Sequence, residues 1–328
     1  MSAPAQPLRS LARPPALALG DRVAVLSVSG PADQDALAAG LETLRFAGLE
    51  PVVFPSALDT GSMVSYLAST DAERARELCS AVLDPTIAGV AFACGGYGAQ
   101  RTIEAIDWDA LAGLPPKVLA GYSDVTAMLE AVAIRLGWSS VLSTMVSTPG
   151  VRPHYSFGSM LRTLMRPEEA QDIRYADALT IRGGRARGLT VGGNLTLLAS
   201  SVGTDTSRPA RGGILVIEEE GEDDYRIDRM LTQLRRSGYL DGVAGIVTGT
   251  FTGCGPREAI ESVLTERVGD LGVPVLGRAN VGHGCPFQAL PIGIAAELDA
   301  DAGTLTLLDP PLVPCAGARS PISPQGAS

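Results

Sequence analysis

Val118-Leu119-Ala120-Gly121-Tyr122-Ser123-Asp124-Val125-Thr126 is an apolar run that passes through Gly-x-Ser straight into a helical stretch reaching Leu136. A strand that turns into a helix with no linker is the seed of a βα unit. The chain before it repeats the same rhythm. Arg22 to Val28 reads as a strand ending in Ser29-Gly30-Pro31, and Asp33 to Ala47 as a helix with apolar residues at 37, 41 and 44, closed by Gly48. Pro51 to Phe54 and Asp71 to Leu83 form the next pair, and Ile87 to Cys94 is a third strand that ends in Gly95-Gly96-Tyr97-Gly98. Strands alternating with helices imply parallel strands joined by right-handed crossovers, hence a doubly wound α/β sheet. Ligands of such sheets gather at the carboxyl ends of the strands.

Downstream the rhythm breaks between about Pro149 and Gly188, a Pro- and Arg-bearing stretch that reads as an inter-domain connection. Gly192-Gly193-Asn194 then precedes a helix, followed by strand Ile214 to Ile217, helix Tyr225 to Arg236, strand Val243 to Thr248, a helix near Arg257 to Val268 and strand Val273 to Leu276. Ile292 to Leu298 and Thr304 to Leu308 read as a closing hairpin. The expected organisation is a tail over 1–15, an α/β domain over 16–150, a connection over 151–187, a second domain over 188–313 and a disordered tail over 314–328.

Bulk properties exclude several classes of function. With 328 residues, 45% of them hydrophobic and 19% charged, the chain can bury a large core. A net charge of −10 without a basic stripe argues against nucleic acid as a partner. No apolar run reaches the ~18 residues of a membrane span, and the N-terminus lacks the apolar centre of a signal peptide. The five cysteines, at 79, 94, 254, 285 and 315, show no paired spacing, and there are two histidines. That composition offers no zinc cluster and reads as thiols in a reducing compartment, so a cytoplasmic protein without metal or cofactor is expected.

Four features could carry chemistry. Ser123 lies where a strand-to-helix turn exposes a hydroxyl beside helix-end N–H groups, the layout of a nucleophile elbow. Val125 stands where the usual elbow pattern has a second glycine, and Ser123 or Asp124 could equally cap the helix. Gly95-Gly96-Tyr97-Gly98 could supply an oxyanion N–H, cradle a phosphate, or be a plain tight turn. Glu218-Glu219-Glu220 closes the apolar strand Ile214 to Ile217, where a carboxylate can orient an imidazole; a solvated acidic loop continuing through Glu222, Asp223 and Asp224 is the alternative. His283, between Gly282 and Gly284, is a base for serine chemistry or an incidental loop residue, and the other histidine, His154, sits in a turn-like Arg-Pro-His-Tyr stretch. Cys94 and Cys285 rank below Ser123 as nucleophiles because neither sits at an elbow.

In order along the chain, Gly95-Gly96-Tyr97-Gly98 with Arg101, Gly121 to Thr126, Gly192-Gly193-Asn194-Leu195, Ile217-Glu218-Glu219 leading to Tyr225-x-x-Asp228-Arg229-Met230-Leu231, and Gly282-His283 with Leu290-Pro291-Ile292-Gly293 resemble the LD-carboxypeptidase family of serine peptidases, which also contains the microcin C immunity peptidases. The resemblance runs from about Gly20 to Leu308. It implies a flavodoxin-like N-terminal domain, a smaller mixed β/α C-terminal domain, and a metal-free site between them in a homodimer. Ser123 would be the nucleophile, His283 the base and Glu218 its partner; the N–H groups of Asp124 and Gly96 would hold the oxyanion, and Gly95, Tyr97 and Asn194 would meet the substrate. The implied reaction removes a terminal D-amino acid from an L-centre, as in a muropeptide stem. Leu142-Ser143-Thr144-Met145 departs from the His-Gly-Pro turn that family members tend to carry, which bears on substrate identity. Two other enzymes share the resemblance: a microcin-type peptidase cleaving aminoacyl-nucleotide amides, and a specialised-metabolite hydrolase or acyl transferase. The microcin type is expected to stack a nucleobase on an aromatic of the inter-domain loop, where this chain has only Tyr155, Phe157 and Tyr175, its tryptophans being Trp108 and Trp138. A non-catalytic module holding phosphate on its glycine turns is the alternative from a different class.

Overall fold

A computed structural model describes residues 8–61, 64–148 and 153–314, without the side chains of 153 and 154. The described strands are β1 (Arg22–Leu26), β2 (Glu50–Val53), β3 (Ile87–Phe92), β4 (Val118–Gly121), β5 (Ser140–Leu142), β6 (Asp172–Arg174), β7 (Leu179–Arg182), β8 (Arg185–Asn194), β9 (Gly213–Glu220), β10 (Gly245–Thr252), β11 (Val275–Gly277), β12 (Leu290–Ile292), β13 (Ala295–Asp299) and β14 (Thr304–Leu307). They build two sheets, ordered β2-β1-β3-β4-β5-β12 and β6-β14-β13-β8-β9-β10-β11-β7.

In the first sheet β2, β1, β3, β4 and β5 run parallel, in the flavodoxin order. Their near-continuous apolar runs reflect burial on both faces. One face packs Leu26, Phe92 and Leu119 with Leu78, Val82 and Met128 from the helices Asp71–Leu83 and Val125–Arg135. The other packs Val23, Val25 and Val118 with Leu37 and Leu44 of the helix Gln34–Phe46. Phe157, Met160 and Leu164 complete that second face. They belong to the helix Pro153–Met165, so part of the expected connection, with His154 in its first turn, is a layer of the first domain.

The first strand of the expected hairpin starts later than Ile292, because Ile292 belongs to β12. Leu290–Ile292 does not continue into Ala295–Asp299; it pairs antiparallel with β5, as an edge strand of the first sheet. Gly293, at φ +84°, makes the bend, and Pro291 is tolerated because an edge strand can lack one donor. β13 then pairs with β14, as expected, and with β8. The leading segment also differs from a loose tail over its described part. Ala12 N–H donates to Gly137 O at 2.7 Å, Ser139 N–H to Ala12 O at 2.9 Å, and Val313 N–H to Pro14 O at 2.9 Å. Prolines remove donors but keep their carbonyls, and that of Pro14 finds a partner here. The expected trailing tail lies, from residue 315 onward, outside the described residues.

In the second sheet β8, β9, β10 and β11 are parallel and the flanking strands antiparallel. Its outer face packs Leu215, Ile217 and Ile246 with Ile227, Leu231 and Leu264 of the helices Asp224–Arg236 and Arg257–Val268. Its inner face joins the core of the first sheet through Ile214, Val216, Val247 and Leu276. The carboxyl ends of β4 and β9 therefore meet.

One buried charge braces the loops around that meeting point. Arg74 is fully buried, and its guanidinium donates to Val28 O, Ala68 O, Ser69 O and Thr102 Oγ1 at 2.8–3.2 Å. Replacing Arg74 with Met removes the donor to Ala68 O and Ser69 O, while Val28 O keeps Thr102 Oγ1, and is expected to cost about 3–5 kcal/mol of unfolding free energy, read by urea denaturation. A loss below about 1 kcal/mol would contradict the bracing role.

Candidate active site

β4 ends at Gly121, and two residues later Ser123 takes a left-handed φ of +59°. A non-glycine residue there is strained by about 1 kcal/mol, held in place by its surroundings. Val125 N–H donates to Tyr122 O and Thr126 N–H to Ser123 O, which closes the turn and starts the helix at once. The hydroxyl is thus raised at the strand end, and the elbow reading accounts for Ser123 where simple capping does not: the Asp124 side chain makes no cap hydrogen bond.

His283 Nε2 lies 3.0 Å from Ser123 Oγ, and its Nδ1 lies 2.7 Å from Glu218 Oε2. The same carboxylate oxygen accepts the backbone N–H of His283 at 3.3 Å. Glu218 is 0% exposed, and its Oε1 has no hydrogen-bond partner among the described residues, so its polar attachment is all to the histidine. Two glycines make room for it. A Cβ on Gly282, which has φ +110°, would sit 2.4 Å from Glu218 Oε2, and one on Gly249 would sit 3.1 Å from Glu218 Cβ. The Tyr122 ring packs on the imidazole with centroids 4.7 Å apart, and Phe287 backs Tyr122 at 5.0 Å.

Glu220 also reaches the imidazole: its Oε2 lies 3.2 Å from Nε2, with the side chain 56% exposed. Burial pushes the His283 pKa down, but the hydrogen bond and charge of Glu218, helped by Glu220 and Glu219, outweigh it and hold the group above its usual value near 6.5. The neutral, proton-accepting imidazole is therefore the form present at pH above that raised value. Removing the Glu220 charge takes away one upward influence. In Glu220→Gln the His283 pKa is expected to fall, measured by NMR titration of the ring, and a base-limited rate would keep its activity to lower pH. An unchanged or higher pKa would contradict the reading.

The acidic run thus divides. Glu218 and Glu219 are buried, against the reading of a solvated loop, which holds only from Glu220 onward. Glu219 accepts from Asn194 Nδ2, Thr196 N–H, Thr196 Oγ1 and Glu220 N–H, and burial still lifts its pKa. Asn194, expected to meet substrate, is 3% exposed; its Nδ2 serves Glu219 and its Oδ1 caps the next helix at Leu197 N–H. Both polar atoms of the carboxamide are thus engaged within the protein.

The glycine turn does lie at the nucleophile. A Cβ on Gly95 would fall 3.2 Å from Ser123 Oγ, and Gly96 takes φ +96°. The N–H groups of Gly96 and Asp124 donate to no backbone acceptor among the described residues, as oxyanion donors would require. Tyr97 is 46% exposed and faces Tyr66 at 6.0 Å across a cleft shared with Gly30, Pro31 and Ser65. Cys94 is half-buried, and burial raises its thiol pKa, disfavouring the thiolate. Cys285 is exposed and has no part in the Ser123–His283–Glu218 chain of contacts. Of the departing segment, Ser143, Thr144 and Met145 are buried, with Met145 packed beneath Gly95 and Gly121. Sequence reading passed over Tyr122, whose place between the strand and the serine was its only signal, and Glu220, which stood within the acidic run. Among the described residues no group of three or more His, Cys, Asp or Glu is placed to hold a metal, and no helix is long and apolar enough to cross a membrane.

Residues 23–143 match the LD-carboxypeptidase N-terminal domain and residues 187–298 the LD-carboxypeptidase C-terminal domain. A Streptomyces coelicolor protein provisionally assigned as a carboxypeptidase is 46% identical over 307 residues, covering 93% of this chain and 99% of its own. The murein tetrapeptide carboxypeptidase of Pseudomonas aeruginosa is 30% identical over 298 residues, 85% of this chain and 94% of its own. In fold, the microcin C7 self-immunity protein in complex with glutamyl sulfamoyl guanosine matches with a TM-score of 0.82 over 92% of this chain and 99% of its own, at 23% identity.

Proposed function

Because the chain belongs to the LD-carboxypeptidase family, and so among peptidases, we propose that it is a serine peptidase that removes a terminal D-amino acid from the L-centre of a muropeptide stem. The proposal includes a cytoplasmic homodimer working without cofactor. The observation that supports the chemistry best is the relay of contacts from Ser123 Oγ through both ring nitrogens of His283 to buried Glu218. His283 Nε2 takes the hydroxyl proton as Oγ attacks the scissile carbonyl. Glu218 holds the proton on Nδ1 and stabilises the imidazolium that results. The N–H groups of Gly96 and Asp124 receive the oxyanion. His283 then passes its proton to the leaving amine, and water, activated by the same nitrogen, releases the acyl group from Ser123.

The substrate assay is D-alanine release from a tetrapeptide stem, beside a panel of aminoacyl-sulfamoyl adenosines. Release of D-alanine by wild-type protein, with the all-L stem untouched, is the expected result. Turnover of the nucleotide analogues with muropeptides intact would overturn the substrate assignment. The aromatics favour the first outcome: of Tyr155, Phe157 and Tyr175 only Tyr155 is exposed, and Trp138 is buried.

A further inference from the structure

Asp124 follows the nucleophile, yet its carboxylate points away from it. It is 2% exposed, and one oxygen, Oδ2, accepts both Ser29 Oγ at 2.6 Å and Ala99 N–H at 2.8 Å. Those two partners hold opposite ends of the glycine turn. Ala99 directly follows Gly98, at the turn's exit. Ser29 precedes Gly30, whose N–H donates to Gly95 O at 2.8 Å, at the turn's entry. The approach at Gly30 is close enough that a Cβ there would lie 2.9 Å from Gly95 O. Between the two anchors lies Gly96, and the turn rests on Ser123 through Gly95.

We propose that Asp124 is the positioning residue of the oxyanion site: its backbone offers one N–H donor, and its carboxylate holds the loop carrying the other, Gly96, in register with the nucleophile. This rests on the serine reading of the site given above. A single residue thereby couples the elbow at the end of β4 to the loops after β1 and β3, three separate segments of chain. The anchoring oxygen only accepts hydrogen bonds, so an amide oxygen in its place serves equally. Burial, which lifts the Asp124 carboxyl above its usual range, is in keeping with a group placed for its hydrogen bonds and not for its charge.

The test is the rate at which a diphenyl aminoalkylphosphonate labels Ser123, since its phosphoryl oxygen must enter the oxyanion site and no substrate need be known. In Asp124→Ala the maximal labelling rate is expected to fall on the order of 10²-fold while the concentration for half-maximal rate stays put, because binding is intact and only the donors have moved. Asp124→Asn is expected to restore the rate to within about threefold. Ser29→Ala, which removes one anchor and keeps the other, is expected to lose roughly tenfold, and it decides the matter should Asp124→Ala fail to fold. Wild-type rates in Ser29→Ala or Asp124→Ala, or an Asn variant as slow as the Ala variant, would overturn the positioning role and leave the serine reading standing. Wild-type protein that is not labelled at Ser123 would overturn both.

Discussion

Ser123→Ala is expected to lower kcat for peptide hydrolysis by on the order of 10³–10⁶-fold, with KM nearly unchanged and the fold intact. The size follows from what the hydroxyl does. Without it no acyl-enzyme forms, and what survives is the help that an oxyanion site and bound geometry give to water. The fold survives because Ser123 Oγ has His283 as its hydrogen-bond partner, so truncation strands no buried backbone group. Alanine inherits the left-handed backbone at position 123 with a Cβ of the same kind as serine's, and unfolding free energy should change by no more than about 0.5 kcal/mol. Steady-state kinetics beside urea denaturation separate the two effects. Activity within tenfold of wild type would remove Ser123 from the mechanism.

Glu218→Gln is expected to lower kcat by about 10³–10⁴-fold, second only to loss of the nucleophile. Glu218 Oε2 accepts from both the ring Nδ1 and the backbone N–H of His283, which fixes the ring's orientation and places its proton on Nδ1. Glutamine can present a donor to Nδ1. The proton then moves to Nε2, and the nitrogen facing Ser123 can no longer accept. The loss also has a signature in pH. Glu218 is the strongest of the groups that raise the His283 pKa, so the variant's residual activity should extend to lower pH than that of wild type. A Glu218→Gln enzyme with the wild-type pH profile and rate would show that this carboxylate only fills space.

The legible parts of this fold are those written locally. Val118 to Thr126 carries its own instructions: an apolar run for a strand buried on both faces, a small residue at Gly121, and a helix beginning at once. The parallel run of β1 to β4 follows from repeating that unit, whereas β5 is not among the strands read from the sequence. What sequence periodicity does not carry is pairing set by distant partners. Leu290–Ile292 has the same apolar character as the strand after it, and only Gly293 hints that the two part company for different sheets. Phe157, Met160 and Leu164 have helical spacing, but the sheet face they cover is made by residues scattered from Val23 to Val141.

The site divides in the same way. Ser123, Glu218 and His283, which the sequence singles out at a strand end or a glycine loop and by their order, come into contact in the structure. They meet through a contact 160 residues apart that no local pattern encodes. A polar residue after two glycines, such as Asn194, can be a helix cap as well as a ligand contact, and the structure shows the cap. The same holds for Glu219, whose four donors are brought from β8, the following helix and its own neighbour.

The most direct measurement of the central claim is peptide mapping by mass spectrometry of wild-type and His283→Ala protein after exposure to a serine-directed phosphonate. The account predicts one adduct in the wild-type protein, on Ser123, and none formed at a comparable rate once His283 is gone. An adduct on another residue, or labelling of Ser123 that proceeds equally without His283, would contradict it.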